Sequence, residues 1–207
     1  MPDLNPTSGL AMKLGAVVLA AGASYRMGGA KQFLEVEGRP LLVRTLDAVA
    51  RSGAHPIAVV LGANAGAIRT LIDESSVMVV INPDWASGMA SSIRSGISAL
   101  IAEAPALEAV LVTPCDQPAL SADVIRQLVE LNRRTGLIAA ARYNGRVGAP
   151  AVFGSRHLGA IMALEGDEGA RRLLNSGPLE VATADLPELG FDIDTPADYA
   201  AWKAKHG

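Results

Sequence analysis

Residues 19–31 read Leu-Ala-Ala-Gly-Ala-Ser-Tyr-Arg-Met-Gly-Gly-Ala-Lys and give the strongest indication of fold and function in the chain. They follow an apolar run, Leu14–Ala20, that is typical of a strand buried on both faces. Glycines let such a loop approach a ligand closely, and its successive backbone N–H groups can bind an anion. Arg26 and Lys31 add positive charge. We interpret the loop as a candidate triphosphate site; the alternative is a plain glycine-rich connection.

The loop differs from the two most common phosphate-binding loops. A Walker A loop places Ser or Thr directly after its lysine, whereas Gln32 follows Lys31. The dinucleotide fingerprint Gly-x-Gly-x-x-Gly requires a glycine where Ser24 stands, and the next glycine is Gly28. The stretch therefore matches neither pattern.

The composition limits the function classes that are compatible with the chain. Of its 207 residues, 50% are hydrophobic and 4% are aromatic, so an aliphatic core is expected. The net charge of −3 argues against binding to the phosphate backbone of a nucleic acid. No apolar run reaches the roughly 18 residues that a membrane helix requires. We therefore expect neither a nucleic-acid partner nor a membrane partner.

Cysteine usage and the first residues bear on location and domain organisation. Cys115 is the single cysteine, so no internal disulfide can form and a cytoplasmic location is expected. Residues 1–13 lack the basic and apolar regions of a signal peptide, and we interpret them as a flexible lead-in. Residues 14–207 are predicted to form a single domain, because no linker-like stretch divides them.

Strand and helix patterns alternate along most of the chain. Apolar runs predict strands at residues 14–20, 56–61, 77–81, 109–113, 137–142, 151–153 and 179–183. Helical patterns are predicted to begin near residues 40, 64, 87, 121, 167 and 195. This alternation predicts an α/β fold with a mostly parallel sheet and helices on both faces. Because such sheets bind ligands at the carboxyl ends of their strands, the glycine loop and Asp116 are expected at one edge.

Two groups of carboxylates are candidate metal ligands. Asp116 follows a predicted strand and stands between two prolines; its carboxylate is a hard oxygen donor suited to Mg²⁺, and a turn-forming role is the alternative. Asp192 and Asp194 are two residues apart, so on an extended chain they point the same way. Either could complete a Mg²⁺ site with Asp116. The competing interpretation is that Asp194 or Thr195 caps the last helix.

The segment from Asn82 to Ser92 joins a predicted strand to a predicted helix and is rich in side-chain donors. Contacts to a base or ribose are one interpretation, with Gly88 allowing close approach. A helix cap at Ser87 with nothing bound is the other. The residues alone leave both open.

Other catalytic classes find little support. A thiol mechanism at Cys115 is rejected, because its local motif contains no His that could activate it. The three histidines are scattered, at positions 55, 157 and 206. The chain has no Gly-x-Ser-x-Gly motif and no Cys/His pattern typical of zinc.

These segments together resemble the nucleotidyltransferases of the molybdenum-cofactor type, the MobA-like NTP transferases. The loop matches the pattern Leu-Ala-Ala/Gly-Gly-x-Ser-x-Arg-Met-Gly-x-x-Lys, and further blocks follow in order at residues 82–92, 113–118, 148–153, 166–171 and 192–198. The resemblance implies a three-layer, Rossmann-like nucleotidyltransferase fold. It implies catalytic roles for Arg26, Lys31 and Asp116, and a Mg²⁺ cofactor held by Asp116 with Asp192 or Asp194. The nucleotide-binding residues that it implies are Leu19, Ala20, Ala21, Gly22, Ser24, Arg26, Met27, Gly28, Lys31, Asn82, Gly88, Ser91, Ser92, Pro114 and Asp116.

The resemblance also implies substrates. Within the family, Leu-Ala-Ala-Gly accompanies CTP, and the methyl group of Ala21 would narrow the space beside the base. The implied reaction transfers CMP from CTP to molybdopterin and releases pyrophosphate, with possible delivery of the product to a molybdoenzyme.

Three alternatives remain beside that reaction. The first is a cytidylyl- or guanylyltransferase acting on another phosphorylated small molecule, since Ala149 stands where many relatives carry a polar residue. Lys31-Gln32-Phe33-Leu34 also resembles the methylerythritol-phosphate cytidylyltransferases. The second is a dinucleotide-dependent oxidoreductase on a related fold, and the third is a non-catalytic carrier protein.

Overall fold

The computed structural model describes residues 12–166, 173–175 and 179–206. Most of the expected lead-in and most of the helix predicted at 167–174 lie outside these residues. The strands are β1 Leu14–Ala20, β2 Glu35–Val36, β3 Arg39–Pro40, β4 Ile57–Leu61, β5 Met78–Ile81, β6 Ala109–Pro114, β7 Ile138–Tyr143, β8 Arg146–Gly154 and β9 Val181–Asp185. The α-helices are α1 Leu41–Arg51, α2 Ala65–Ile68, α3 Met89–Glu103, α4 Ala122–Thr135, α5 Leu158–Met162 and α6 Pro196–His206.

The central sheet confirms the predicted fold class. Its seven strands are ordered β5-β4-β1-β6-β8-β7-β9. Strand β8 is antiparallel to both neighbours, and the other strand pairs of the sheet are parallel. The short strands β2 and β3 form a separate antiparallel pair after the glycine loop.

The sheet is covered on both faces because its central strands are apolar on both sides. All seven residues of β1 are buried. Ala16, Val18 and Ala20 pack in one core cluster with residues of α1, α2 and α4. Val17 and Leu19 pack in a second cluster with residues of α3 and α5. The buried apolar run in the sequence thus marks an interior strand of a three-layer fold.

Helix boundaries differ from the predicted ones where local turns intervene. Helix α3 begins at Met89 rather than Ser87, because Ser87 ends a short 3-10 turn and Gly88 occupies the N-cap position with φ = +116°. Asn64 precedes α2 as expected, but its side chain makes no capping hydrogen bond within the described chain. Ser121 caps α4 as predicted, since its side chain accepts a backbone N–H of the first turn.

Strand β8 is longer than predicted. The sequence indicated a strand only at 151–153, whereas β8 spans Arg146–Gly154 and forms an antiparallel hairpin with β7. Asn144 and Gly145 make the connecting turn, both with positive φ. The hairpin carries residues 146–150 to the same side of the sheet as the carboxyl ends of β1 and β6.

The register of β1 and β6 positions the candidate site. Leu19 pairs with Pro114, so the glycine loop and the loop that carries Asp116 leave the sheet side by side. The backbone N–H of Cys115 donates to the Leu19 carbonyl at 3.2 Å and extends this contact beyond the strands. The predicted convergence of the two loops at one edge is therefore confirmed.

Candidate active site

The glycine loop is held by its own backbone and by a small core beneath it. Ser24 and Gly28 have φ = +54° and +75°, which lets the chain reverse around a short 3-10 turn. The Gln32 amide, which is buried, donates to the Ala20 carbonyl at 2.9 Å and ties the end of the loop to its start. Met27 packs among the apolar residues of a small third core, so its side chain anchors the loop. Gly22 faces open space, since a Cβ there would meet nothing within 4 Å.

Lys31 joins the two acidic groups that the sequence singled out. Its Nζ donates to Asp116 Oδ2 at 2.7 Å and to Asp194 Oδ1 at 2.8 Å. The Arg26 guanidinium donates to the other oxygen of Asp194, also at 2.8 Å. Residues predicted from three separate motifs thus form one hydrogen-bonded cluster.

The segment that carries Asp192 and Asp194 is fixed beside Asp116 by a backbone hydrogen bond and by the N-terminal cap of α6. The N–H of Ile193 donates to the Asp116 carbonyl at 3.0 Å. Thr195 is the residue before α6 and forms a reciprocal cap with Asp198: Thr195 N donates to Asp198 Oδ2 at 2.8 Å, and Asp198 N donates to Thr195 Oγ1 at 3.2 Å. Of the two candidate caps, Thr195 is therefore the one used, which leaves the Asp194 carboxylate free to meet Lys31 and Arg26.

The charges of the cluster perturb one another. Burial opposes ionisation of Lys31, but the charge of Asp116 and hydrogen bonds to Asp116 and Asp194 outweigh it and raise the Lys31 pKa above its ordinary value. Burial likewise opposes ionisation of Asp194, yet hydrogen bonds and charges of Lys31 and Arg26 lower its pKa. Burial and then the charges of Asp116 and Asp194 raise the pKa of Asp192 to about 6. Such mutual perturbation within one cluster of charged groups is typical of functional sites.

The chemistry of the cluster fits a hard divalent cation. Asp116, Asp192 and Asp194 supply carboxylate oxygens, the donors that Mg²⁺ and Mn²⁺ prefer. Asp116 Oδ1 is buried and has no hydrogen-bond partner in the described chain, so it is available to a ligand. Among the described residues, no three His, Cys, Asp or Glu side chains are already grouped as a metal site. Lys31 instead contacts two of the three carboxylates.

In the segment of residues 82–92, the side chains of Asn82, Ser91 and Ser92 form hydrogen bonds with one another. The buried Asn82 amide donates to Ser91 Oγ at 2.9 Å and to Ser92 Oγ at 3.0 Å, and its Oδ1 accepts the Asp84 N–H at 3.0 Å. These contacts shape the turn that leads to Gly88. Nucleotide contacts by these side chains stay a prediction. In this structure the side chains of Asn82, Ser91 and Ser92 support the loop through their own hydrogen bonds.

Trp85 lies beside the glycine loop. A Cβ on Gly62 would meet Trp85 Cβ and Cγ at 2.5 Å and the Ala21 carbonyl at 2.8 Å, so Gly62 allows the tryptophan to pack close to the loop. The predicted base-side residues Leu19, Ala20 and Ala21 are themselves buried. Residues 19–21, at and just after the end of β1, can thus offer a ligand their backbone atoms and the Ala21 methyl group.

Sequence reasoning missed a buried polar network behind Asp116. Gln117 is 2% exposed, and its Nε2 lies within hydrogen-bond distance of Tyr143 Oη (3.2 Å), the Ala149 carbonyl (3.1 Å) and the Leu189 carbonyl (3.3 Å). Tyr143 Oη also donates to the Ala149 carbonyl at 2.9 Å. One side chain thus connects the acidic loop, the β7–β8 hairpin and the segment that leads to Asp192. The only sequence signal was a polar residue between Asp116 and Pro118.

Arg146 was also missed. It lies at the start of β8, with its guanidinium 5.5 Å from the centre of the Tyr143 ring and Nη2 3.6 Å from Asp192 Oδ2. Its side chain is 44% exposed. The carboxylate cluster therefore has cations on two sides, Arg26 and Lys31 from the glycine loop and Arg146 from the hairpin.

Cys115 has no role as a nucleophile in this geometry. Its side chain is buried, and burial and the charge of Asp116 raise the pKa of the thiol to about 12. A thiol with that pKa stays protonated near neutral pH, so the rejection of a thiol mechanism agrees with the structure.

A mostly parallel α/β sheet with a cationic glycine loop and an acidic loop at one edge defines a nucleotidyltransferase of the Rossmann-like class. The chain belongs to the MobA-like NTP transferase family, whose domain description matches residues 16–183. It is 35% identical over 190 residues to nicotine blue oxidoreductase of Paenarthrobacter nicotinovorans, covering 86% of this chain and 91% of that protein. It is 26% identical over 191 residues to molybdenum cofactor cytidylyltransferase of Escherichia coli K12, covering 92% of this chain and 95% of that protein.

A solved structure supports the same assignment. Rv0371c from Mycobacterium tuberculosis H37Rv, in complex with manganese, superposes with a TM-score of 0.78 at 27% identity, covering 92% of this chain and 98% of that chain. Among the helices that the structure describes in this protein, none has the length and apolar character needed to cross a membrane.

Proposed function

We propose that this nucleotidyltransferase transfers CMP from CTP to the terminal phosphate of molybdopterin and releases pyrophosphate. The observation that carries the proposal is the direct contact of Lys31 with both Asp116 and Asp194. It joins the candidate phosphate-binding cations to the candidate metal-binding carboxylates at the edge of the sheet where such folds bind nucleotides. The similarity to a molybdenum cofactor cytidylyltransferase supports the choice of substrates.

The roles of the residues follow from their chemistry. Arg26 and Lys31 bind the triphosphate and stabilise the charge that develops on the departing pyrophosphate. Asp116, together with Asp192 or Asp194, would hold Mg²⁺, which offsets negative charge on the phosphates when it is bound. The manganese complex of a related protein supports a divalent cation here.

The reaction needs no protein base. An oxygen of the acceptor phosphate forms a bond to the α-phosphorus of CTP while the bond from that phosphorus to the bridging oxygen of pyrophosphate breaks. The acceptor oxygen already carries a negative charge near neutral pH, so no proton has to be removed. The contribution of the protein is to align the two phosphates and to neutralise their charges.

The acceptor phosphate lies on the side of the β7–β8 hairpin. Attack in line with the departing pyrophosphate requires the acceptor to approach from the side opposite the glycine loop. Arg146 of the hairpin supports this position, because it lies 3.6 Å from Asp192 and its half-exposed side chain can meet an anionic group. Arg142, at the end of β7, has a comparable setting 3.7 Å from Asp185 and serves as its matched control.

The preference for CTP rests on Ala21. Ala21 is buried, and its methyl group would narrow the space beside a bound base, which favours a pyrimidine over a purine. Pyrophosphate release with each of the four nucleotides, in the presence of Mg²⁺ and purified molybdopterin, tests nucleotide and acceptor together. We expect turnover with CTP, and Ala21→Gly to increase the relative rate with GTP. Equal rates with all four nucleotides, or turnover that does not require molybdopterin, would contradict the proposal.

A second candidate is a dinucleotide-dependent oxidoreductase, favoured by the 35% identity to nicotine blue oxidoreductase. The absence of Gly-x-Gly-x-x-Gly from the loop speaks against it. A fluorescence titration with NADH and NADPH separates the two functions, since only the oxidoreductase requires tight binding of either. A cytoplasmic location and delivery of the product to a molybdoenzyme complete the first proposal.

A further inference from the structure

Lys31 contacts two of the three carboxylates that would hold a metal ion. Its ammonium group donates to Asp116 at 2.7 Å and to Asp194 at 2.8 Å, and its side chain is only 15% exposed. Two short, charge-assisted hydrogen bonds in a partly buried site are stronger than surface ion pairs. A cation that binds these oxygens must first displace Lys31.

The charges around the cluster are already balanced without a metal ion. Its carboxylates and its cations are equal in number, three of each: Asp116, Asp192 and Asp194 against Arg26, Lys31 and Arg146. A divalent cation arriving alone would meet a cluster of nearly zero net charge that includes the repelling ammonium of Lys31. Electrostatics therefore disfavours a metal ion in the free protein.

We infer that Lys31 is an internal counter-ion that makes metal binding depend on nucleotide binding. The inference rests on the proposed nucleotide site. A triphosphate carries several negative charges and competes with Asp116 and Asp194 for the Lys31 ammonium. Once Lys31 turns to the phosphates, Asp116 loses the cation that contacts it and Asp194 keeps only Arg26, so both carboxylates become stronger ligands for a divalent cation. Nucleotide and metal then increase each other's affinity by the same factor, because coupling between two sites is reciprocal.

Arg26 cannot serve in the same way. Its side chain is 71% exposed and contacts Asp194 alone. If Arg26 were removed, Lys31 would still contact both Asp116 and Asp194, so neither carboxylate would be released for a metal ion. Lys31, which contacts both carboxylates, is the residue that must move.

The test measures Mn²⁺ binding to the protein without nucleotide, by electron paramagnetic resonance of free Mn²⁺. We expect Lys31→Met to bind Mn²⁺ about tenfold or more tightly than the wild type, a coupling in the ordinary range. Lys31→Arg keeps the positive charge and should bind Mn²⁺ as weakly as the wild type. Lys203→Met, which removes an exposed lysine of α6, is the matched control and should change nothing. Lys31→Gln provides a second neutral variant in case Lys31→Met folds poorly.

A second measurement compares the dissociation constant of CTP with and without Mn²⁺. The gain in CTP affinity from Mn²⁺ should be about tenfold or more in the wild type and smaller in Lys31→Met. The inference is overturned if both neutral variants bind Mn²⁺ no more tightly than the wild type, or if Mn²⁺ leaves the affinity of the wild type for CTP unchanged. A protein that shows this coupling but no CMP transfer would retain the inference and refute the proposed function.

Discussion

Replacement of Gln117 by Leu is expected to destabilise the protein although the position is buried and the sizes are similar. The amide of Gln117 has two hydrogens, which it shares among the three oxygens of Tyr143, Ala149 and Leu189. Losing two hydrogen bonds costs about 1 kcal/mol each, and a carbonyl left buried without a partner costs about 1–2 kcal/mol more. Two effects offset part of this: Leu buries additional apolar surface, and it removes Gln117 Oε1, which is buried and has no hydrogen-bond partner in the described chain. The expected net loss is about 2 kcal/mol in the free energy of unfolding.

For a chain of 207 residues, such a loss lowers the melting temperature by roughly 4–8 °C. Urea denaturation followed by circular dichroism measures the free energy directly. Gln127→Leu, at an exposed position of α4, is the control and should stay within about 0.5 kcal/mol of the wild type. If Gln117→Leu also stays within that margin, the network does not stabilise the junction of the three segments, and our account of how Asp116 and Asp192 are held together is wrong.

Three further predictions concern the proposed reaction and the thiol. Asp116→Asn should reduce pyrophosphate release on the order of 100-fold, because it removes a charge on which the phosphate chemistry depends; an unchanged rate would exclude Asp116 as a ligand. Arg146→Gln should raise KM for the acceptor about tenfold, or 1.4 kcal/mol, while Arg142→Gln leaves it unchanged; equal effects would remove Arg146 from the acceptor site. Cys115, with its pKa raised to about 12 by burial, should react with a thiol reagent at pH 8 only after unfolding. In the unfolded chain the Cys115 thiol has a pKa of about 8.5, so above that pH it ionises only when the protein unfolds. The free energy of unfolding should therefore fall as the pH rises above about 8.5, and Cys115→Ala should weaken this dependence.

The convergence of the glycine loop and Asp116 could be predicted because both signals are local. An apolar run of seven residues specifies a buried strand, and a loop that follows it must leave at the carboxyl end. The parallel order of β1 and β6 then follows from the helical connections between the strands. No knowledge of side-chain contacts was needed to place Lys31 near Asp116.

The hairpin and its polar network could not be obtained in the same way. Gln117, Tyr143 and the Leu189 carbonyl are far apart in sequence, and their hydrogen bonds form only when three segments meet. A polar residue in an apolar context gives no indication of its partners. One local signal was available, since Asn144-Gly145 between two apolar runs is typical of a hairpin turn and would have predicted the full length of β8.

The segment Asn82–Ser92 shows how one composition fits two roles. Its donors suggested contacts to a base or ribose, and the structure uses the side chains of Asn82, Ser91 and Ser92 to satisfy one another. A buried amide and two buried hydroxyl groups must find partners, whether those belong to a ligand or to the protein. The residue types therefore show that these groups need hydrogen-bond partners, but they do not show whether a ligand or the protein provides them.

The carboxyl-terminal helix connects stability to the candidate active site. Trp202 and Ile193 form a small core against which Met27 of the glycine loop packs. The same docking brings Asp194 to Lys31, because Asp194 directly follows Ile193 in the chain. One apolar cluster thus holds both partners of the ion pair. A change that loosens α6, such as removal of the Trp202 ring, must therefore weaken the phosphate-binding loop and the carboxylate cluster together, even though it touches neither.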